Sequence, residues 1–181
     1  MANNCSVDAK ITGKAKDVKE LIEMMSGRGQ YEHDGLGRVF ECWYNDDDFD
    51  AANDDDIVDV NVYLDVAWSI VSAMREYAGR ERSLESETKR LNLVFEAYSS
   101  ELGVGFQEHV LIDRGDVLID ECVDYEEHWV DDYDKIEEYN EEYGTNFTED
   151  MINDNGDVCI GGFGDKYGQF EYFKKEHFEE V

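Results

Sequence analysis

Proline is missing from all 181 residues, where average usage of about 5% would place roughly nine. Every turn must therefore be made by Gly, Asn and Asp, which the chain has in quantity. Positive charge is scarce: 16 Lys and Arg stand against 46 Asp and Glu, giving a formal charge of −30. No apolar run approaches the roughly 20 residues of a membrane span. MANNCSVDAK lacks the charged-then-apolar order of an export signal, so a cytoplasmic protein without a membrane role is expected. The four cysteines, Cys5, Cys42, Cys122 and Cys159, are far apart with no CxxC pair, which suits reduced core thiols better than disulfides or a structural zinc site.

Acid-rich chains are commonly disordered because they have too little apolar surface to offset ordering entropy. This one is 41% hydrophobic and 13% aromatic, enough for a folded domain with its own core. The charge is concentrated. Residues 1–44 hold seven acids and six bases, and 66–95 hold four acids and five bases. Residues 45–65 hold nine acids and no base, and 120–150 hold fourteen acids and one base, Lys135. An even acidic coat serves solubility; dense patches point to a cationic partner.

Several chemistries fail on spacing. In DDDFDAANDDDI, Asp46, Asp48 and Asp50 occupy positions one, three and five of a calcium loop, but Ala51 stands where Gly is needed and Ile57 where a bidentate Glu is needed. His33, His109 and His128 show no H-x₃-H spacing. His128, beside Glu126, Glu127 and Trp129, is the one candidate general base, and a surface histidine is the plainer reading. Gly35–Gly37 and Gly161–Gly164 lack the phosphate-loop pattern, and this charge repels a nucleotide. Carboxylate pairs for a glycosidase or metal nuclease arise by chance among forty-six acids. No catalytic residue, metal or cofactor is expected.

Periodicity outlines the fold. Val7, Ala9 and Ile11 alternate as in a half-buried strand, and Val18, Leu21, Ile22 and Met25 fall at helical spacing over 15–26. Strands are expected at 38–44 and 57–67, a second helix at 68–78 that extends into the charged RERSLESETKR, and a strand in NLVFEAYS. VGFQEHVLID, the Arg114-Gly115 turn and DVLIDECVD read as a hairpin. The first six elements follow the split βαβ, ferredoxin-like order. Beyond residue 125, an acidic helix over 131–143 would dock by Trp129 or Val130, Tyr133, Ile136, Tyr139 or Asn140 and Tyr143, stop at Gly144, and lead to a short strand, a Gly-rich turn and a terminal β segment. The expected class is α+β: a ferredoxin-like antiparallel core over 1–124, with an acidic helical and β elaboration over 125–181 packed on the same domain.

The MANNC start, the following strand, Gly13 and helix resemble the opening of the Api92/YubB-like family of small phage and plasmid proteins. So does NLVFEAYSSELGVGFQEHVLIDRGDV, with Glu101, Gly103, Gly105 and Phe106 in the family's Glu-x-Gly-x-Gly-Phe segment, and Trp68 before the second helix. The resemblance covers roughly residues 1–120 and implies a ferredoxin-like fold of mobile-element origin, without catalytic residues. Its departures, the insertion at 45–56 and the segment 120–150, hold most of the charge. By analogy, a small acidic mobile-element protein resembles an anti-defence inhibitor, most like a type II anti-CRISPR that blocks Cas9, or else an anti-restriction DNA mimic. A general acidic interaction protein of a mobile element is the remaining alternative.

Duplex DNA carries one charge per roughly 1.7 Å, so ten base pairs present on the order of twenty charges. The two acidic segments hold twenty-three acids. The expected partner is a basic protein surface of a host nuclease, with no contact to naked nucleic acid. The expected contacts are Asp46, Asp47, Asp48, Asp54, Asp55 and Asp56, with Asp131, Asp132, Glu137, Glu138, Glu141 and Glu142, each accepting from Arg or Lys.

Overall fold

The computed structural model describes residues 4–27, 36–49, 52–75, 82–129, 136–152, 156–170 and 172, with the backbone alone at 127–129, 143, 150, 157, 159 and 160. The elements run β1 (Asn4–Lys14), α1 (Ala15–Ser26), β2 (Val39–Tyr44), β3 (Ile57–Ala67), α2 (Leu84–Leu91), β4 (Val94–Glu101), β5 (Phe106–Asp113), β6 (Asp116–Trp129), α3 (Ile136–Tyr143) and β7 (Asp157–Gly161). This is an α+β protein built on one antiparallel sheet of order β2-β3-β1-β4-β5-β6-β7.

Alternation decides which face each strand buries. Val7, Ala9 and Ile11 of β1, Val60, Val62 and Leu64 of β3, and Phe95 and Ala97 of β4 point to one side. There they meet Val18, Leu21, Ile22 and Met25 of α1 and Leu84 and Leu91 of α2 in a single core. A side chain such as Phe95, with no exposure, contributes about 1.5–3 kcal/mol by leaving water.

α1 spans the residues its periodicity predicts, but its start is capped from a distance. Lys14 provides no side-chain cap, and the Ala15 and Lys16 N–H groups donate to the Asp56 and Asp54 carbonyls at 2.9 and 3.1 Å. These satisfy two of the donors a helix start leaves unpaired.

The second helix is met in part: Trp68 takes a left-handed φ of 66°, a helical turn of π type forms at Val71–Arg75, and the expected residues 76–78 lie outside the described residues. A separate regular helix, α2, lies in the charged stretch. Ser83 and Ser86 form a reciprocal capping box that starts α2 at Leu84. The Val71–Arg75 turn is capped at its start: the Ile70 N–H donates to the buried Glu108 carboxylate at 2.8 Å, which also accepts from the Ser99 hydroxyl at 2.7 Å, and the Ser72 N–H donates to the Ser69 hydroxyl at 3.0 Å. Arg75 then spans Glu85 (2.6 Å) and Asp120 (2.9 Å), pinning this turn to α2 and β6.

The hairpin forms at Arg114-Gly115, both with positive φ, as a two-residue turn of this hand requires. A side chain at Gly115 would also meet the Lys89 Cβ at 2.6 Å, because α2 lies against the turn. β6 is longer than the expected strand and passes residues 124 and 125 without a break. What changes there is its partner: 116–124 pair with β5, and 125–129 pair with β7. A helical turn at Gly164–Lys166 follows β7, and the expected terminal β segment lies largely outside the described residues, which omit 171 and 173–181.

Candidate interaction surface

The first acidic segment is a tethered loop at one end of the sheet's β2 edge. Phe49 is buried, edge-on to Tyr44 at 6.0 Å and under the Lys19 ammonium at 4.9 Å, and so anchors the turn Asp46–Phe49. Asp46, Asp47 and Asp48 are consequently held outward and exposed. Asp54, Asp55 and Asp56 are exposed too, yet two of their side chains are engaged within the chain. Asp56 accepts from the Asn53 backbone and side-chain N–H groups at 2.8 and 3.0 Å. Asp55 accepts from Lys14 at 3.1 Å and Lys16 at 2.8 Å, and these hydrogen bonds hold its carboxyl below the usual range. Asp55 is therefore offset by two ammonium groups, while Asp46, Asp47, Asp48, Asp54 and Asp56 keep the loop's outward charge.

The second segment is α3. Ile136 is buried against Val158 of β7, with Phe147 and Ile152 around it. Tyr139 packs on the Phe147 ring at 5.9 Å. Asn140 fastens the far end, donating to the Phe147 carbonyl at 2.8 Å and accepting from the Phe147 N–H (2.8 Å) and Thr145 hydroxyl (2.7 Å). Glu137, Glu138, Glu141 and Glu142 are exposed on the outer side. Asp131, Asp132, Val130 and Tyr133 lie outside the described residues, as do the side chains of His128, Trp129 and Tyr143.

The register shows how these patches stand to each other. Lys14 pairs with Ile57 at the sheet end that bears the Asp46–Asp56 loop, and Asp113 pairs with Asp116 at that same end. β6 therefore begins level with the first patch and runs away from it for its whole length before α3 follows. β3 and β6 are four strand positions apart, roughly 19 Å, and the strands run for roughly 30 Å or more. The Asp46–Asp56 loop and α3 stand at opposite corners of the sheet, not on one continuous face.

A different surface lies between them. The strand face turned away from α1 and α2 carries a row crossing six strands: Trp43, Tyr63, Asp8, Tyr98, His109 and Glu121, each opposite the next. Half of it is covered. After β7 the chain turns at Gly161 and Gly162 and lies over Tyr98 and His109, which stack face to face at 4.0 Å. Phe163, Tyr167 and Phe170 surround the Tyr98 ring at 5.4, 5.4 and 5.7 Å. The Phe163 N–H donates to the Gln107 side chain at 2.9 Å. His109 Nε2 lies 2.9 Å from the mostly buried Glu96 carboxylate. Burial raises the Tyr98 and Tyr167 hydroxyl pKa values above the ordinary range, so both stay neutral. At the other end of the row Trp43 is 50% exposed and Tyr63 56%.

The acidic segments were legible from composition, whereas this row was not. Its signal is an aromatic in the polar phase of an alternating strand: Trp43 in VFECWY, Tyr63 in IVDVNVYLDVA, Tyr98 in VFEAYSSE. Only the register shows that these positions are neighbours.

Among the described residues, no group of three or more His, Cys, Asp or Glu is arranged to hold a metal ion, and no helix is long and apolar enough to cross a membrane. No protein-family pattern, no curated protein and no solved structure matches the chain.

Proposed function

We propose that this protein inhibits a host nucleic-acid-handling nuclease, a guide-loaded Cas9 foremost, by occupying a basic surface that otherwise receives phosphates. The observation that carries the reading is the outward row of Glu137, Glu138, Glu141 and Glu142 on a helix anchored by Ile136 and Asn140, with no base in its last turn. Carboxylates fixed on a packed scaffold meet Arg and Lys at little further cost in side-chain ordering. The opposed corner of Asp46, Asp47, Asp48, Asp54 and Asp56 supports two separate contacts on one channel-like partner, in place of a single DNA-shaped face. The strand order β4-β1-β3-β2, with α1 and α2 in one core, supports a ferredoxin-like description of the scaffold, with β5, β6 and β7 as additions. No catalytic role is assigned.

The test is cleavage of target DNA by guide-loaded Cas9 with the full-length protein added. Near-stoichiometric suppression that weakens as salt rises is expected, because exposed charges are screened within about 10 Å at 0.1 M. Full cleavage at tenfold excess in low salt would sink the Cas9 form of the reading. A type I restriction enzyme run in parallel tests the anti-restriction form.

A further inference from the structure

Trp43 and Tyr63 are cross-strand neighbours on one face, so their Cβ atoms stand about 4.5–5.5 Å apart. Both are half-exposed. Beside them is a groove of about 410 Å³, lined by Asp8, Lys10, Asn61 and Tyr63 from the sheet and by Phe170. The Phe170 ring lies against the Lys10 ammonium at 5.9 Å.

The groups around the rings favour one sign. Glu41 and Asp65 occupy the adjacent row of the same face, Asp8 the same row, and Asp59 lies two positions along β3 beyond Asn61. Lys10 is the one base in those rows on β1, β2 and β3. A nucleic-acid base would find the aromatic faces suitable, but its phosphates would meet carboxylates. An ammonium also meets a ring face, as Lys19 does over Phe49, but it is compact and strongly hydrated and has neither a plane to stack nor a forked edge for a carboxylate. A guanidinium is planar and weakly hydrated; it stacks on aromatic faces while its edge donates to carboxylates in a bidentate fork. Paired exposed rings beside surplus carboxylates have the complementary chemistry.

We propose that the half-exposed end of this sheet face, centred on Trp43 and Tyr63, is a docking site for arginine side chains of a basic protein partner. The guanidinium stacks on the rings and pairs with Asp8, Asp65 or Glu41. The proposal rests on the reading above that the partner is basic, and it places the arginine-selective contact on a surface distinct from both acidic corners, which attract any cation.

Titration calorimetry of the full-length protein with hexaarginine and hexalysine peptides tests it, because the ratio of the two affinities cancels the general attraction of the −30 charge. Hexaarginine should bind about tenfold more tightly. In the Trp43→Ala/Tyr63→Ala variant the ratio should fall to about one while hexalysine affinity is unchanged, and Trp43→Phe/Tyr63→Phe should restore most of the preference. A ratio near one in the unaltered protein overturns the site, and so does a preference that survives the alanine pair. If the arginine preference is lost as expected but the unaltered protein inhibits no nuclease, the docking site stands and the nuclease reading falls. If the alanine pair inhibits fully and the unaltered protein shows no arginine preference, the reverse holds.

Discussion

α3 is electrostatically unfavourable to itself, and that can be measured. Glu137 and Glu141, and Glu138 and Glu142, are like-charged pairs at i,i+4, each destabilising by about 0.2–0.5 kcal/mol. Glu141 and Glu142 also lie in the last turn, where the helix dipole disfavours negative charge by about 0.3–1 kcal/mol per residue. The helix has eight residues and no base in that turn. Replacing Glu141→Lys and Glu142→Lys turns both pairs into the favoured order, Glu before Lys. Removing the two repulsions and the dipole penalties alone is worth about 1–3 kcal/mol, and the favourable Lys contributions add to it. Native-state hydrogen exchange across 136–143 should slow by roughly tenfold to a hundredfold, since about 1.4 kcal/mol is a factor of ten. The same change moves the net charge by four units from −30 and removes half of the helix's outward carboxylates. Nuclease inhibition should therefore weaken while the protein becomes more stable. Exchange that is unchanged or faster refutes the electrostatic account of α3. Slower exchange with undiminished inhibition refutes its role as a contact.

Gly161 has a φ of 74°, and a Cβ there would stand 2.3 Å from the Asp124 carbonyl oxygen. Gly161→Ala should cost at least about 1–2 kcal/mol from the left-handed backbone alone, read as a lower urea midpoint. Phe163→Ala removes the ring held against Tyr98 and His109. Each lost ring contact is worth about 0.5–1.5 kcal/mol, so limited proteolysis within 162–170 should accelerate while β1–β4 stay protected. Burial pushes the Cys5 thiol up from 9.0 to about 12. Below pH 9 the thiol is protonated both folded and unfolded and stability is unaffected. As pH rises from 9 toward 12 only the unfolded chain loses the proton, so stability should fall across that window, and a Cys5→Ala variant should show a shallower decline in alkaline melting curves. In native protein at pH 8, exposed Cys122 should react with a thiol reagent while buried Cys5 and Cys42 wait for unfolding.

Periodicity was a good guide where one local rule acts alone. β1, α1, β3 and the Arg114-Gly115 hairpin follow from alternation, helical spacing and turn chemistry, and the structure has them at those positions. At 68–78 it is followed only in part: Trp68 is left-handed, a helical turn forms at Val71–Arg75, and Tyr77 lies outside the described residues. What spacing could not show is that a carboxylate from β5, distant in sequence, caps the Ile70 N–H, and that the Ser83 box starts a second, separate helix. Composition located both acidic segments, but not that Asp55 is tied up within the chain, because Lys14 and Lys16 reach it only after β1 and β3 pair.

The amino-acid sequence by itself determined an acidic α+β protein whose negative charge is gathered into two segments, since charge and alternation are properties of residues and their near neighbours. Where those segments stand was decided by tertiary structure. The pairing of β3 with β1, β1 with β4, β4 with β5 and β5 with β6 puts the loop and α3 at opposite corners of the sheet. The same pairing brings Trp43, Tyr63, Asp8, Tyr98 and His109 into one row. The physical reason is register: a strand slipped by one residue turns its whole side-chain set to the other face, so an aromatic in the polar phase becomes part of a surface only once its neighbours across the sheet are in place.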